Sequence, residues 1–504
     1  MLERRTFTPA IAAARPYHHA VLLPRADLAQ GLIYFLAIGN QENRLGITQK
    51  ICATMQSIGY DDLGADCVAR VKRAIKDGLA VAVAGADQAP IHIVAAHVAD
   101  YGATPRSSVW GHGFKTSPTY AALVNGMATH VLDFEPMWSP PTHSVSPTVP
   151  VAFALAEAYG YSGKQIVTAV AKGIEIQGRM QYAGNQYVPE ELPFHPPGVS
   201  GVVGAVVTAG HLLKLNTDQL RCAIGIAGSR MGTILANIGS MTKSTHCGNA
   251  GASGLDAALL ARRGFTANPD VFEAHKGIIE AFYPKGFDAK RLLAFGKPYR
   301  IVKPGHAIKM FPSQYATHFA ITAGLEMQQK IGNAKHLRSI EIKGPVMNYI
   351  DRPAPVSGLA GKFSLQYTAA AALLDGSVNI DSFTDQRRFR ADMVRLLGKI
   401  KLLQDASIPN DLHAMRIELT ATMRDGATHR VVCKGPKGTW GMPPLRDDEH
   451  RVKLEHCFSR ALPDAQVDAL LAQLDRLEKH SAEGVRGILK MIAGKKTPSR
   501  NNHK

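Results

Sequence analysis

The chain has 504 residues, 45% hydrophobic and 20% charged, which is ordinary for a soluble globular protein and too long for a single core, so two domains are expected. No apolar run reaches the ~18 residues of a membrane-spanning helix, so no membrane partner is read. Lys and Arg number 58 against 41 Asp and Glu, a net +17, but the excess is spread out and no basic run interleaves with aromatics. That pattern argues against nucleic acid as a partner and leaves attraction of a small anion.

In chain order, residues 1–45 carry Arg4, Arg5, Arg15 and Arg25 with few acids, then an apolar stretch at 31–37. They read as a poorly ordered extension or an upstream start. The alternative is an organelle presequence; the layout of a secretory signal is missing. From Gly46 to Lys303 the pattern is almost wholly helical. Ser117-Pro118 marks a helix start, a capping residue followed by proline where no amide donor is needed. Further helices are expected over 151–159, 164–180, 199–213, 217–227 and 250–263. After Pro304 the style changes. Residues 338–343 alternate with period two, and 415–422 with 428–433 flank Asp425-Gly426 as a hairpin. Helices are expected at 365–374 and 391–403 between these strands, and again at 449–461 and 464–477. The fold class is therefore mainly α. A large helical domain (46–304 and 441–490) is built from both chain ends, with a smaller α+β domain (305–440) inserted and a disordered basic tail at 491–504. Six cysteines without a C-x-x-C pair read as free thiols in a reducing, cytoplasmic setting.

Chemistry-bearing residues fall in the breaks between apolar runs. Asp133 and His143 bracket a proline-rich segment holding Pro136, Pro140 and Pro141. Stiffened loops on rigid helices are where binding groups usually sit. His195 lies between Phe194 and Pro196-Pro197, just before a helix with Gly198, Gly201 and Gly204. Without a preceding strand and a following acid, these glycines read as helix-packing positions, not a dinucleotide loop. Lys243 stands three residues before His246, and Lys309 opens the second domain, where an interdomain cleft would favour a ligand. His143, His195 and His246 lack the local spacing of zinc helices, so no metal is expected.

Several segments together resemble the MmgE/PrpD family. They are 125–134, 147–160, 173–179, Phe194-His195-Pro196-Pro197 and 242–254, in the same order. Lys309 to Pro312 and Leu365-Gln366-Tyr367 look most like its cis-aconitate decarboxylase branch. The resemblance implies a helical domain with an α+β lid, a homodimer, a site between domains, and no metal or organic cofactor. By position it places Asp133, His143 and Tyr367 as catalytic residues, and His195, Lys243 and Lys309 as binders of a small di- or tricarboxylate. Three departures stand out. Glu135-Pro136-Met137 replaces two acids and a threonine, Gln314 replaces a histidine, and Arg230 is an added cation. The function so implied is a lyase working by dehydration or decarboxylation, with His143 moving a proton next to a carboxylate. An isomerase or epimerase on the same fold is the alternative, and a non-catalytic carboxylate-binding homologue the third reading.

Overall fold

Several helices begin at the capping residues their sequences supply. The computed structural model describes residues 46–494, so the expectations for residues 1–45 and 495–504 lie outside the described residues. The longer helices are α1 (Ile47–Ser57), α2 (Ala65–Gly85), α3 (Ala89–Asp100), α4 (Pro118–Val131), α5 (Val145–Tyr159), α6 (Gly163–Ala183), α7 (Ser200–Leu212), α8 (Thr217–Gly228) and α9 (Thr242–Arg262). There follow α10 (Thr317–Ile331), α11 (Leu365–Asp375), α12 (Ala391–Leu397), α13 (Asp447–Phe458), α14 (Asp464–Leu474) and α15 (Ala482–Ile492). The Ser117 hydroxyl accepts from the Tyr120 amide and starts α4 as its sequence predicts. Ser162 with Gln165 and Asn216 with Gln219 form capping boxes for α6 and α8.

Small residues let these helices approach closely. A Cβ on Gly173 of α6 would sit 2.0 Å from Thr208 Oγ1 of α7, and one on Gly204 of α7 would sit 2.3 Å from Gln177 Nε2 of α6. The glycines after His195 therefore serve packing, as their context indicated. Buried apolar side chains form two clusters. One spans residues 47–301 with Ile380 and α13 to α15, and the other spans residues 307–433 with Met137.

Strands β3 (Leu337–Gly344), β4 (Ile400–Gln404), β5 (Ile417–Met423) and β6 (Thr428–Cys433) make a sheet of order β4-β3-β5-β6. β4 runs parallel to β3, the other neighbours run antiparallel, and α10 and α11 pack together beside it. The hairpin turns at Gly426, whose φ of 90° suits glycine.

Four expectations need correction. The helix read over 391–403 stops at Leu397, and β4 takes the remainder, because Ile400 and Leu402 pair with Ile340 and Ile342 of β3. Helices α5 and α9 begin at Val145 and Thr242, ahead of the residues expected, so Lys243 lies on a first helical turn and not in a loop. A short hairpin, β1 (Ser107–Val109) with β2 (Phe114–Thr116), was not foreseen. The tail does not begin at 491: α15 continues to Ile492, and the Ile492 and Ala493 carbonyls accept from the Gly111 and Gly113 amides.

Candidate active site

Helix α4 ends at Val131, and two residues later Asp133 takes a left-handed φ of 50°, a conformation Asp tolerates better than most residues. This turn aims its carboxylate at two lysines. Lys243 Nζ, on the first turn of α9, lies 3.0 Å from Asp133 Oδ2. Lys309 Nζ bonds Asp133 Oδ1 and also donates to the carbonyls of Asp133 and Ser313, each at 3.0 Å. All three Lys309 protons are thus engaged inside the protein. A third buried lysine, Lys362, donates to Leu132 O at 3.2 Å, at the carbonyl end of α4 where a cation is favoured.

One turn before Asp133, His130 Nδ1 stands 2.5 Å from Glu135 Oε1 and its Nε2 stands 2.8 Å from Lys243 Nζ. An ammonium only donates, so Nε2 accepts and the ring proton resides on Nδ1, pointing at Glu135. Ser146 Oγ donates to the same Glu135 oxygen at 2.7 Å. His143 Nδ1 comes within 3.2 Å of that oxygen without forming a hydrogen bond, and its Nε2 is 3.9 Å from Asp133 Oδ1. His195 completes the group, its Nδ1 3.1 Å from His246 Nδ1 and its ring centre 5.8 Å from that of His143.

Charge follows from this packing. Burial alone would raise the Asp133 carboxyl, but Lys243 and Lys309 outweigh it and hold it well below the usual carboxylate range. Burial likewise opposes Glu135, and the His130 and His143 rings beside it bring it well below that range too. Burial, aided by Lys243, pushes His130 down to about 3 and His195 well below the ordinary imidazole value. Both rings are neutral at pH 7. Burial lowers Lys362 to about 7, with Asp133 opposing.

These groups form part of the wall of a cavity of about 430 Å³, a volume suited to a small ligand. Asp133, His143, His195, Lys243, Lys309, Gln314, Tyr349 and Arg352 line it, with Met137, Leu192, Ile238 and Phe363 among the apolar walls. Gln314 Nε2 donates to Tyr349 Oη at 2.8 Å. Arg352 Nε donates to Tyr349 O at 2.9 Å, and its guanidinium lies over Phe363 with no carboxylate partner among the described residues. A larger cleft of about 680 Å³ holds none of these groups; ion pairs such as Lys76–Asp475 and Arg73–Asp447 occupy its walls. His130, His143 and His195 each bring a ring nitrogen within 4.8 Å of the others, a spacing a divalent ion could use. However, Lys243 already occupies His130 Nε2, and the ammonium groups of Lys243 and Lys309 oppose a further cation there.

Residues 49–290 match the MmgE/PrpD N-terminal domain, and residues 311–477 match the MmgE/PrpD C-terminal domain. The chain belongs to the MmgE/PrpD family. It is 31% identical over 444 residues to a cis-aconitate decarboxylase of Mus musculus, covering 86% of this chain and 91% of the relative. The Homo sapiens cis-aconitate decarboxylase is 30% identical over the same length, with 92% of that protein covered. A mitochondrial 2-methylcitrate dehydratase of Yarrowia lipolytica is 24% identical over 414 residues, 73% of this chain and 75% of the relative. Among the described residues no single helix is long and apolar enough to cross a membrane.

Of the six site residues expected in this MmgE/PrpD chain, the structure brings five together: Asp133, His143, His195, Lys243 and Lys309. Tyr367 is the exception. It is fully buried in the second apolar cluster and donates to Ser382 O at 2.5 Å, away from the cavity lining. Tyr349 is the tyrosine that lines the cavity. Its surroundings, Tyr349-Ile350-Asp351-Arg352-Pro353, carried the same signal as the other clusters, polar groups and a proline in a break between regular elements. Glu135, in sequence one of the departures from the family pattern, is wholly buried and bonded to His130. Of the other departures, Met137 and Gln314 line the cavity, whereas Arg230 pairs with Asp256 at 2.7 Å and does not. His130 and Lys362 were missed because each lies within or beside an apolar helical stretch, where a polar residue reads as packing.

Proposed function

We propose that this protein is a lyase that expels carbon dioxide or water from a small di- or tricarboxylate by proton transfer at the carbon next to a carboxylate. The observation that carries this reading is the Asp133–Lys243–His130–Glu135 chain set against the cavity beside His143. In the decarboxylation reading, the bond between the reacting carbon and the leaving carboxylate breaks, and its electron pair stays on that carbon. His143 then delivers a proton there. Lys243 and Arg352, with neutral His195, are placed to hold the remaining carboxylates and the developing negative charge, which preorganised donors stabilise as it forms. Lys309 acts through Asp133, since its protons are already engaged.

Decarboxylation is favoured over dehydration by the higher identity and fuller coverage of the decarboxylase relatives. The apolar lining residues Met137, Leu192 and Ile238 support a substrate bearing an alkyl group. The test is incubation with cis-aconitate, 2-methylcitrate, citrate and alkyl-substituted analogues in deuterated buffer, followed by NMR. Product lacking one carboxylate supports the decarboxylase, and loss of water supports the dehydratase. Deuterium wash-in with neither would replace both by an isomerase. His143→Ala should cut kcat by about 10²- to 10⁴-fold with the fold retained by circular dichroism; near-normal turnover would remove His143 from this role.

A further inference from the structure

A second cluster of polar groups lies apart from the cavity. Lys172, in the middle of α6, is only 2% exposed, and among the described residues its Nζ has a single hydrogen-bond partner, His211 Nδ1 on the last turn of α7 at 3.1 Å. No carboxylate lies within ion-pair distance of Lys172 among the described residues. A buried ammonium without a counter-charge is costly, and proteins usually supply an acid beside one. Here there is instead a pocket of about 230 Å³, into which Lys172, His211 and the exposed Lys214 are set, with Met55, Val207 and Leu220 as apolar walls. Gln56, at the same pocket, is fixed to Leu215 O. Burial lowers Lys172 to about 8, opposed by the charge of Asp62, which lies beyond ion-pair distance, and burial together with Lys172 lowers His211 to about 4. At neutral pH the pocket therefore holds a lysine cation beside a neutral ring. Because the ammonium donates to Nδ1, the ring proton lies on Nε2, and His211 is a donor as well.

We infer that this pocket binds a short-chain aliphatic monocarboxylate, its oxygens held by Lys172 and His211 and its alkyl chain packed on Met55, Val207 and Leu220. Two donor groups suit a carboxylate's two oxygens. Inorganic phosphate has no alkyl chain to pack on Met55, Val207 and Leu220 and would use only the cationic side of the pocket, where exposed Lys214 is the further charge. The site is separate from the proposed catalytic cavity and does not depend on the reaction assigned there.

The experiment uses the full chain labelled with ¹³C-histidine, the His211 signal being assigned by its loss in His211→Gln. Acetate, butanoate and inorganic phosphate are titrated in turn. Reading His211 itself separates this site from carboxylate binding beside His143. A saturable shift is expected with butanoate at lower concentration than with acetate. Lys172→Met should weaken it about tenfold or more while raising the melting temperature, since an uncompensated buried charge is removed. Gln56→Trp, an exposed change at the same pocket, should also suppress the shift, which keeps the test intact if Lys172→Met does not fold. No saturable shift with any of the three anions overturns the proposal, as does an unchanged shift in both variants. A response to phosphate alone overturns the carboxylate assignment.

Discussion

Glu135 illustrates how one residue can set the protonation of several others. Its Oε1 faces His130, His143 and Ser146, and its Oε2 is buried with no hydrogen-bond partner among the described residues. The carboxylate therefore fixes the His130 tautomer that leaves Nε2 to accept from Lys243. Glu135→Gln removes this charge and offers an amide that can present a donor to the imidazoles. A drop in kcat of about 10²-fold is expected, with KM changed far less, because the residue touches no part of the cavity. Steady-state kinetics across pH would show whether the profile also moves. At the cavity itself stand Met137 and Gln314, two positions at which the sequence resemblance implies a threonine and a histidine. Restoring both with Met137→Thr and Gln314→His should shift the ratio of kcat/KM for cis-aconitate over an alkyl-substituted analogue by about tenfold or more. An unchanged ratio would place specificity elsewhere in the wall.

At the scale of elements, two tyrosines separate a packing role from a working one. Tyr367 lies on the first turn of α11 and spends its hydroxyl on Ser382 O, so Tyr367→Phe should cost about 1–2 kcal/mol in denaturant titrations and leave kcat near normal. Tyr349 precedes α11 on a short 3-10 turn, Asn348–Ile350, and bonds Gln314 at the cavity wall, so Tyr349→Phe should lower kcat/KM with little loss of stability. Comparing the two variants by both measurements tests the assignment. The difference also explains what could be read in advance. Asp133, His143, His195, Lys243 and Lys309 were legible because each interrupts or borders an apolar run with a polar group that packing does not require. His130 sits within α4, where an apolar pattern absorbs it, and only the three-residue step to Asp133 relates them. Lys362 borders an apolar stretch in the same way, and its partners, the backbone carbonyls of Val131 and Leu132, lie more than 200 residues away in sequence. The same limit applies to secondary structure. Caps at Ser117 and the turn at Asp425-Gly426 act locally and were read correctly, whereas β4 exists only because β3 lies beside it, and Ile400 to Leu403 alone fit a helix equally well.

Several histidines are buried among the described residues, and this sets the molecule's response to acid. His130, His195 and His318 are buried and His306 is half-buried, and burial pushes His306 and His318, like His130, down to about 3. His195 is held well below its ordinary value by burial and by Lys243. Their folded pKa values lie below the unfolded value near 6.5. As pH falls, the unfolded chain therefore takes up protons that the folded chain refuses, and stability drops from pH 6.5 downward. Each such histidine removes about 1.4 kcal/mol per pH unit once well below 6.5. The depressed carboxylates also lose their contribution in acid, but only below their unfolded values: Asp133 and Glu135 are fully stabilising at pH 5 and weaken below about pH 4. The histidines act first. With a typical stability of about 5–15 kcal/mol, several such sites acting together are enough to unfold the protein before its acids protonate. Urea titrations at pH 7.5, 6 and 5 should show a progressive fall in midpoint, and acid unfolding should be half complete above about pH 4. A midpoint constant from pH 7.5 to 5 would mean that these rings are charged, or reach solvent, in the folded state, and the neutral acceptor role assigned to His130 would fall with it.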